Sequence, residues 1–333
     1  MKNEPEEPDL DNATRTLAAG SLRRYNLNRH QAEAMRTFTR YVWLGGGWGW
    51  GKSSVARWKL MLDHVLLRHK AGKVTQVLIA RKSHVELRDS VIPDFFADFP
   101  ALKPYWRKQD REIAFPNGTV ILFRHFDPSR TDGGATFQNM NLGAAWVEQA
   151  EERDESTFVL MDGRTRRFPT GCQIILSGNS NGMDWIHRRF YEKKIPALSP
   201  EDLAELRKAY HTRSVEELSG GLAKQYRRIC GTMFDNIDNL PEWYVRQALQ
   251  QPEAQKRRFV YGFCEPASEL VYDAFDSNRH VIWNPDDFPF DPDDPASIPP
   301  EWITWQSMDL GFTNATSIIC WAFDVDTGII YCW

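Results

Sequence analysis

The chain has 333 residues, of which 42% are hydrophobic and 13% aromatic, enough for a large buried core and part of a second domain. Its 41 basic and 45 acidic residues give a net charge of -4, which counts against a uniformly basic nucleic-acid binder but leaves room for local basic faces at Arg164–Arg167, Arg188–Lys194 and Lys256–Arg258. The five cysteines are odd in number and form no C-x-x-C pair, which argues against a disulfide framework or a zinc site and for a reducing compartment; there is no signal peptide and no apolar run of about 18 residues.

In chain order, residues 1–19 form a polar, acidic tail expected to be disordered. A helix is predicted over 28–41, then a short buried strand over Val42–Gly45 that runs into a glycine-rich loop. Ser53–His69 reads as a helix with Val55, Leu60, Leu62, Val65 and Leu66 apolar, and Val74–Ala80 as a strand followed by a polar helix near 82–92. Ile113–Phe123 reads as a hairpin turning at Pro116, Asn117 and Gly118. Gly143–Val147 and Cys172–Leu176 are two more short apolar strands, and this alternation indicates a parallel α/β sheet. Residues 199–228 look helical and charged with no strand. Residues 284–300 hold six prolines in seventeen residues and read as a linker without regular structure. Three apolar strands follow from Trp302 onward, and the chain stops inside the third.

The loop Gly46-Gly47-Trp48-Gly49-Trp50-Gly51-Lys52-Ser53, with Ser54 after it, matches the P-loop pattern G-x-x-x-x-G-K-[ST]. Glycines let backbone N–H groups turn inward onto phosphate oxygens, Lys52 reaches the β- and γ-phosphates of ATP, and the Ser53 hydroxyl suits Mg²⁺. The following helix points its positive end at the same place. Such a site needs a carboxylate at the end of a neighbouring strand, and Glu148 after Ala144-Ala145-Trp146-Val147 is the candidate for the Mg²⁺ shell. Gln149 follows and can orient a water but cannot take its proton; Glu151 and Glu152 lie close by, so either Gln149 or Glu151 positions the attacking water. Small polar residues end the next strand at Ile175–Gly182, with Ser177, Gly178 and Asn179 placed to contact phosphate or water.

Taken in order, these motifs resemble the large terminase subunit of tailed phages, the DNA-packaging motor, over roughly residues 20–333. The resemblance implies a RecA/ASCE-type P-loop NTPase sheet over 20–195, a helical ATPase subdomain II over 196–283, the 284–300 linker, and the first strands of an RNase H-like nuclease domain over 301–333. It implies that Ser177–Asn179 couple hydrolysis to movement, that Gln31 reads adenine, and that Arg164 or Arg166 of the Gly-Arg-x-Arg segment touches phosphate or DNA. Residues 232–245 and 257–263 resemble the family's second subdomain. Asp309 resembles the first carboxylate of the nuclease, which would hold Mg²⁺ or Mn²⁺ with carboxylates beyond residue 333, so the chain reads as a fragment or a truncated gene product. Two positions depart from the family: Trp48 stands where a basic residue is common, and Gln149 where glutamate is usual.

The implied activity is ATP-driven translocation of double-stranded DNA into a viral procapsid, in the cytoplasm of an infected host cell. The implied partners are portal protein, the small terminase subunit and further copies of the chain in a ring. Two other readings stay open. One is a different DNA-dependent ATPase, such as a helicase, for which no second RecA-like domain is visible. The other is a nucleotide-binding scaffold without hydrolysis, suggested by Gln149.

Overall fold

The computed structural model describes residues 27–125, 139–180, 182, 184–195, 199–209, 224–264, 280–282, 287–309 and 317–333. The expected tail at 1–19, Asn181 of the segment expected to couple hydrolysis to movement and the residues just after Asp309 lie outside that set. Two compact units divide between Ser268 and Glu269.

The first unit is built on an eight-stranded sheet in the order β3-β4-β5-β2-β6-β7-β1-β8. Its strands are β1 (Tyr41–Gly46), β2 (Gln76–Arg81), β3 (Trp106–Arg107), β4 (Glu112–Ala114), β5 (Val120–His125), β6 (Ala144–Glu148), β7 (Gln173–Ser177) and β8 (Tyr226–Gly231). The six strands from β5 to β8 in that order pair in parallel, and β3 and β4 add antiparallel at the far edge. The central strands β1 and β7 are buried along their whole length, as the unbroken apolar runs of a doubly covered parallel sheet require. One core, with Trp50, Trp146 and Phe95, fills one face; another, with Trp43, Phe158 and Phe190, fills the other.

The expected hairpin forms, with Ala114 opposite Val120 and Gly118 at φ 86°, a left-handed value that glycine adopts without strain. The expected first helix is shorter than its pattern. α1 (Arg29–Arg36) begins with a reciprocal capping box between Asn28 and Gln31 and stops at Thr37, because Tyr41 already belongs to β1. The helix after the P-loop, α2 (Lys52–Lys59), continues through a π-wound stretch, Leu60–Leu66, into Leu67–Lys70.

One expectation fails outright. The segment 199–228 holds a helix at Pro200–Ala209, yet β8 begins at Tyr226 and pairs along the whole of β1. Its Arg227 and Arg228 face solvent at an edge, so no apolar run announces the strand.

Beyond β8 the chain makes 3-10 turns at Met233–Asn239, then α3 (Glu242–Leu249), then a short turn that becomes π-wound over Lys256–Val260. Met233, Val245, Ala248 and Val260 give this part a small core of its own. In the second unit, β9 (Ile303–Asp309), β10 (Ser317–Phe323) and β11 (Ile330–Cys332) form an antiparallel sheet in the order β11-β10-β9. The segment read as an irregular linker is partly ordered. A 3-10 turn at Pro295–Ser297 is capped by Asp294, and Phe290 is buried with its ring 4.9 Å from that of Trp333.

Candidate functional site

Parallel strands direct their C-terminal ends to one edge of the sheet, where loops after several strands meet. Glu148 ending β6 pairs with Ser177 ending β7, Ser177 pairs with Leu44 of β1, and Gly46 ends β1 two residues further on at the same edge. The loops enclose a cavity of about 550 Å³ lined in part by Trp48, Gly49, Gly51, Lys52, Ser53, Ser54, Glu148, Gln149, Ser177, Gly178 and Asn179. That volume falls within the range of cofactor pockets.

The P-loop is held from behind. A Cβ on Gly46 would lie 2.2 Å from the Gly231 carbonyl, so only glycine fits there, at φ 99°. The Gly47 N–H donates to the Gly231 carbonyl at 2.8 Å, and the Trp48 N–H to the Phe259 carbonyl at 2.5 Å. The Trp50 indole is buried and donates to the Gly45 carbonyl at 2.8 Å. Gly46, Gly47 and Trp50 thus shape the loop, while Gly49, Gly51, Lys52, Ser53 and Ser54 face the cavity. Trp48, where a basic residue was expected, stacks on Phe259 with centroids 4.2 Å apart.

Lys52 Nζ donates to the Gly46 and Gly47 carbonyls at 3.1 and 2.7 Å and to Asn179 Oδ1 at 3.1 Å. Burial pulls this ammonium down to about 8, against the opposing pull of Glu151, Cys230 and Glu148. Ser53 Oγ donates to Glu148 Oε1 at 2.5 Å. A hydroxyl and a carboxylate side by side are the hard oxygen donors that Mg²⁺ accepts alongside phosphates and its own waters. Among the described residues there is no group of three or more His, Cys, Asp or Glu side chains that could hold a metal ion, so any cation here must bring further ligands with it. Ser53 and Glu148 fit Mg²⁺ on those terms.

Gln149 is turned at φ 50°, a left-handed value uncommon outside glycine. The kink leads directly into the 3-10 turn Ala150–Glu152. The Glu151 carboxylate lies immediately behind Gly178 and accepts from the Asn179 N–H at 2.8 Å. Burial pushes its carboxyl up, while the Asn179 N–H and Lys52 act in the opposite direction. Ser177 is buried, and its hydroxyl accepts from the Trp146 indole at 2.9 Å, so this side chain serves the core.

Gln31 does not line the main cavity. Its amide is the N3 partner of the α1 capping box and donates to the Trp50 carbonyl at 3.1 Å. It borders a smaller apolar cavity of about 170 Å³ with Leu27, Met35, Val55, Trp58 and Leu62, and the two cavities share Ser54. Arg164 and Arg166 are not brought to the site. The Arg164 carbonyl accepts from the Leu142 N–H beside the start of β6, which places the segment roughly 20 Å from Glu148 at the strand rise of about 3.3 Å per residue. Contact with phosphate in the same subunit's cavity is thereby ruled out. Asp309 ends β9 in the second unit.

Sequence reasoning passed over Arg57, Asp94 and Tyr244, which also line the cavity, and Arg258. Arg57 follows Ser53 by one helical turn, a spacing that could have drawn attention to it. Tyr244 and Arg258 fall in the segments 232–245 and 257–263, read above only as resembling a second subdomain, and Asp94 lies in a segment with no local pattern.

No family model matches the chain, and no curated protein matches its sequence. Solved structures do match. The large terminase of the thermophilic bacteriophage D6E in complex with ADP aligns over 92% of this chain and 68% of its own, at 17% identity and a TM-score of 0.51. The chain has the large-terminase fold. A second crystal form of the D6E protein gives the same coverage, identity and score. The large terminase ATPase domain of Thermus phage P74-26 aligns over 72% of this chain and 95% of its own, at 12% identity and a TM-score of 0.46. At such identities the likeness carries the mixed α/β, RecA/ASCE-type architecture of the terminase ATPase, and the chemistry has to be argued from the residues. Among the described residues, no helix is long and apolar enough to cross a membrane.

Proposed function

We propose that the chain is an ATP-hydrolysing motor subunit that drives double-stranded viral DNA into a procapsid. The observation that carries this reading is one connected set of contacts around the cavity. Ser53 meets Glu148, Lys52 meets Asn179, and Asn179 meets Glu151. Phosphate loop, strand-end acid and coupling segment are therefore in direct contact, as hydrolysis coupled to movement requires.

In this reading Lys52 and the backbone N–H groups of Gly49–Ser53 bind the triphosphate. Ser53 and Glu148 would hold Mg²⁺, which when bound neutralises charge on the β- and γ-phosphate oxygens. Gln149, on the cavity wall, orients the attacking water. Glu151, held behind Gly178 by the Asn179 N–H, is the carboxylate assigned to take the proton, and burial raises its affinity for protons. Gln31 and the small apolar cavity beside Ser54 offer a place for the adenine. Portal protein, a small terminase subunit and further copies of this chain in a ring are the partners this role requires. The β9–β11 sheet, with Asp309 at the end of β9, is read as the opening of an RNase H-like nuclease domain.

The test is steady-state ATP turnover by wild type and Lys52→Ala, with and without linear double-stranded DNA. Turnover that rises with DNA and vanishes in Lys52→Ala is expected. A wild type without turnover would favour a binding scaffold. Stimulation by single-stranded DNA alone would favour a helicase-like motor.

A further inference from the structure

The π-wound turn Lys256–Val260 touches both arms of the nucleotide site. Phe259 stacks on Trp48 of the P-loop and accepts the Trp48 N–H through its carbonyl. A Cβ on Gly47 would lie 2.7 Å from the Val260 carbonyl, so the loop and the turn are packed backbone to backbone. On the other side, Arg258 Nη2 donates to the Asn179 carbonyl at 2.5 Å.

Asn179 is thereby used at three atoms. Its side-chain oxygen accepts from Lys52, its N–H donates to Glu151, and its carbonyl accepts from Arg258. Lys52 and Glu151 are the groups assigned above to the phosphates and to the water proton. The guanidinium also lies over the Phe259 ring at 5.0 Å.

We infer that Arg258 is a positioning residue for ATP hydrolysis. It holds the Asn179 peptide so that Lys52 and Glu151 keep their register, and it joins that register to the helical part of the unit that also grips the P-loop. The same three-residue stretch, Arg258 to Val260, then feels any movement of the P-loop and of the coupling segment together. The inference rests on the hydrolytic reading above and adds a residue to it.

The experiment compares wild type, Arg258→Ala and Arg258→Lys in steady-state ATP turnover, with ADP affinity measured by calorimetry and thermal melts as a check on folding. A positioning role predicts that Arg258→Ala loses about 10- to 100-fold in kcat, the scale on which small misplacements act. KM and ADP affinity should stay within about threefold of wild type, because phosphate binding is left to Lys52 and the loop. Millimolar guanidinium ion, well below denaturing concentrations, should restore part of the Arg258→Ala rate, and Arg258→Lys should retain part of it. A kcat unchanged in Arg258→Ala, or a raised KM with kcat intact, overturns the inference and leaves the hydrolytic reading standing. Loss of rate with a lowered melting temperature and no rescue by guanidinium or lysine also overturns it, as a merely structural role. A wild type that does not hydrolyse ATP defeats the hydrolytic reading and this inference with it.

Discussion

The Lys52 ammonium is enclosed by the P-loop, and burial holds it at about 8 instead of the 10.5 of a free lysine. A depression of that size corresponds to about 3 kcal/mol disfavouring the charged form. A polyphosphate arriving at the loop reverses the balance, because the ammonium gains anionic partners only in the complex. Binding should therefore take up protons when the assay pH lies above the free-site value. At pH 8.5 a group with a value near 8 is about three-quarters neutral, so ADP binding should take up about 0.7 proton per site; at pH 7 the uptake falls to about 0.1. The assay is isothermal titration of Mg·ADP in buffers of different ionisation enthalpy, where the slope of observed heat against buffer enthalpy gives the proton count. Lys52→Arg supplies the control, since its guanidinium stays charged and should show no uptake at either pH. Equal uptake at both pH values, or uptake that persists in Lys52→Arg, would refute the assignment of a depressed lysine to this loop.

Three further outcomes are expected. Glu148→Ala and Glu151→Gln should each lower kcat by about 10²-fold or more, and Gln149→Ala by less, because a neutral amide orients water but takes no proton; a larger loss from Gln149→Ala in single-turnover kinetics would reverse that order. Gly178→Ala should leave folding and ADP binding near wild type yet depress hydrolysis, since the added Cβ would lie 1.7 Å from Glu151 Oε2 and must displace that carboxylate; an unaltered kcat would show that Glu151 need not sit there. His64 is buried against Gln173 and held at about 4, so its stabilising effect is present above about pH 6.5 and is lost as pH falls from 6.5 towards 4, by about 3 kcal/mol in all; urea unfolding should show that loss in wild type and a flatter pH dependence in His64→Leu.

The parts of the site readable in the sequence are those whose geometry is local. The P-loop spacing dictates its own shape, and a carboxylate that ends an apolar run is carried by the sheet to the same edge. The alternation of apolar runs likewise announced most of the parallel strands. β8 escaped because its Arg227 and Arg228 belong to an edge, where these two of its six residues face water. The phosphate half of the Arg164 expectation, phosphate or DNA, failed for a different reason. Arg164 lies close to Glu148 in sequence, but the ten-residue helix Glu155–Arg164 between them runs about 15 Å back along the sheet. Tyr244 and Arg258 reach the cavity or its coupling segment only through tertiary packing, which no spacing rule encodes.

Gln149 raised the question whether the chain hydrolyses nucleotide at all, and the local backbone bears on it. A glutamate directly after Glu148 would reach the cavity from the wall itself. Here the left-handed kink at Gln149 turns the chain so that the next carboxylate inward is Glu151, one layer behind Gly178. A carboxylate in that place is held by the Asn179 N–H and depends on the position of the coupling segment, which a wall residue would not. If Glu151 is the base, hydrolysis can proceed only when residues 177–179 are in register, and those residues are tied through Arg258 to the helical part of the unit. On the proposed function, a proton acceptor behind residues 177–179 would make chemistry conditional on mechanical state, an advantage to a motor that must not hydrolyse ATP while its moving part is out of place.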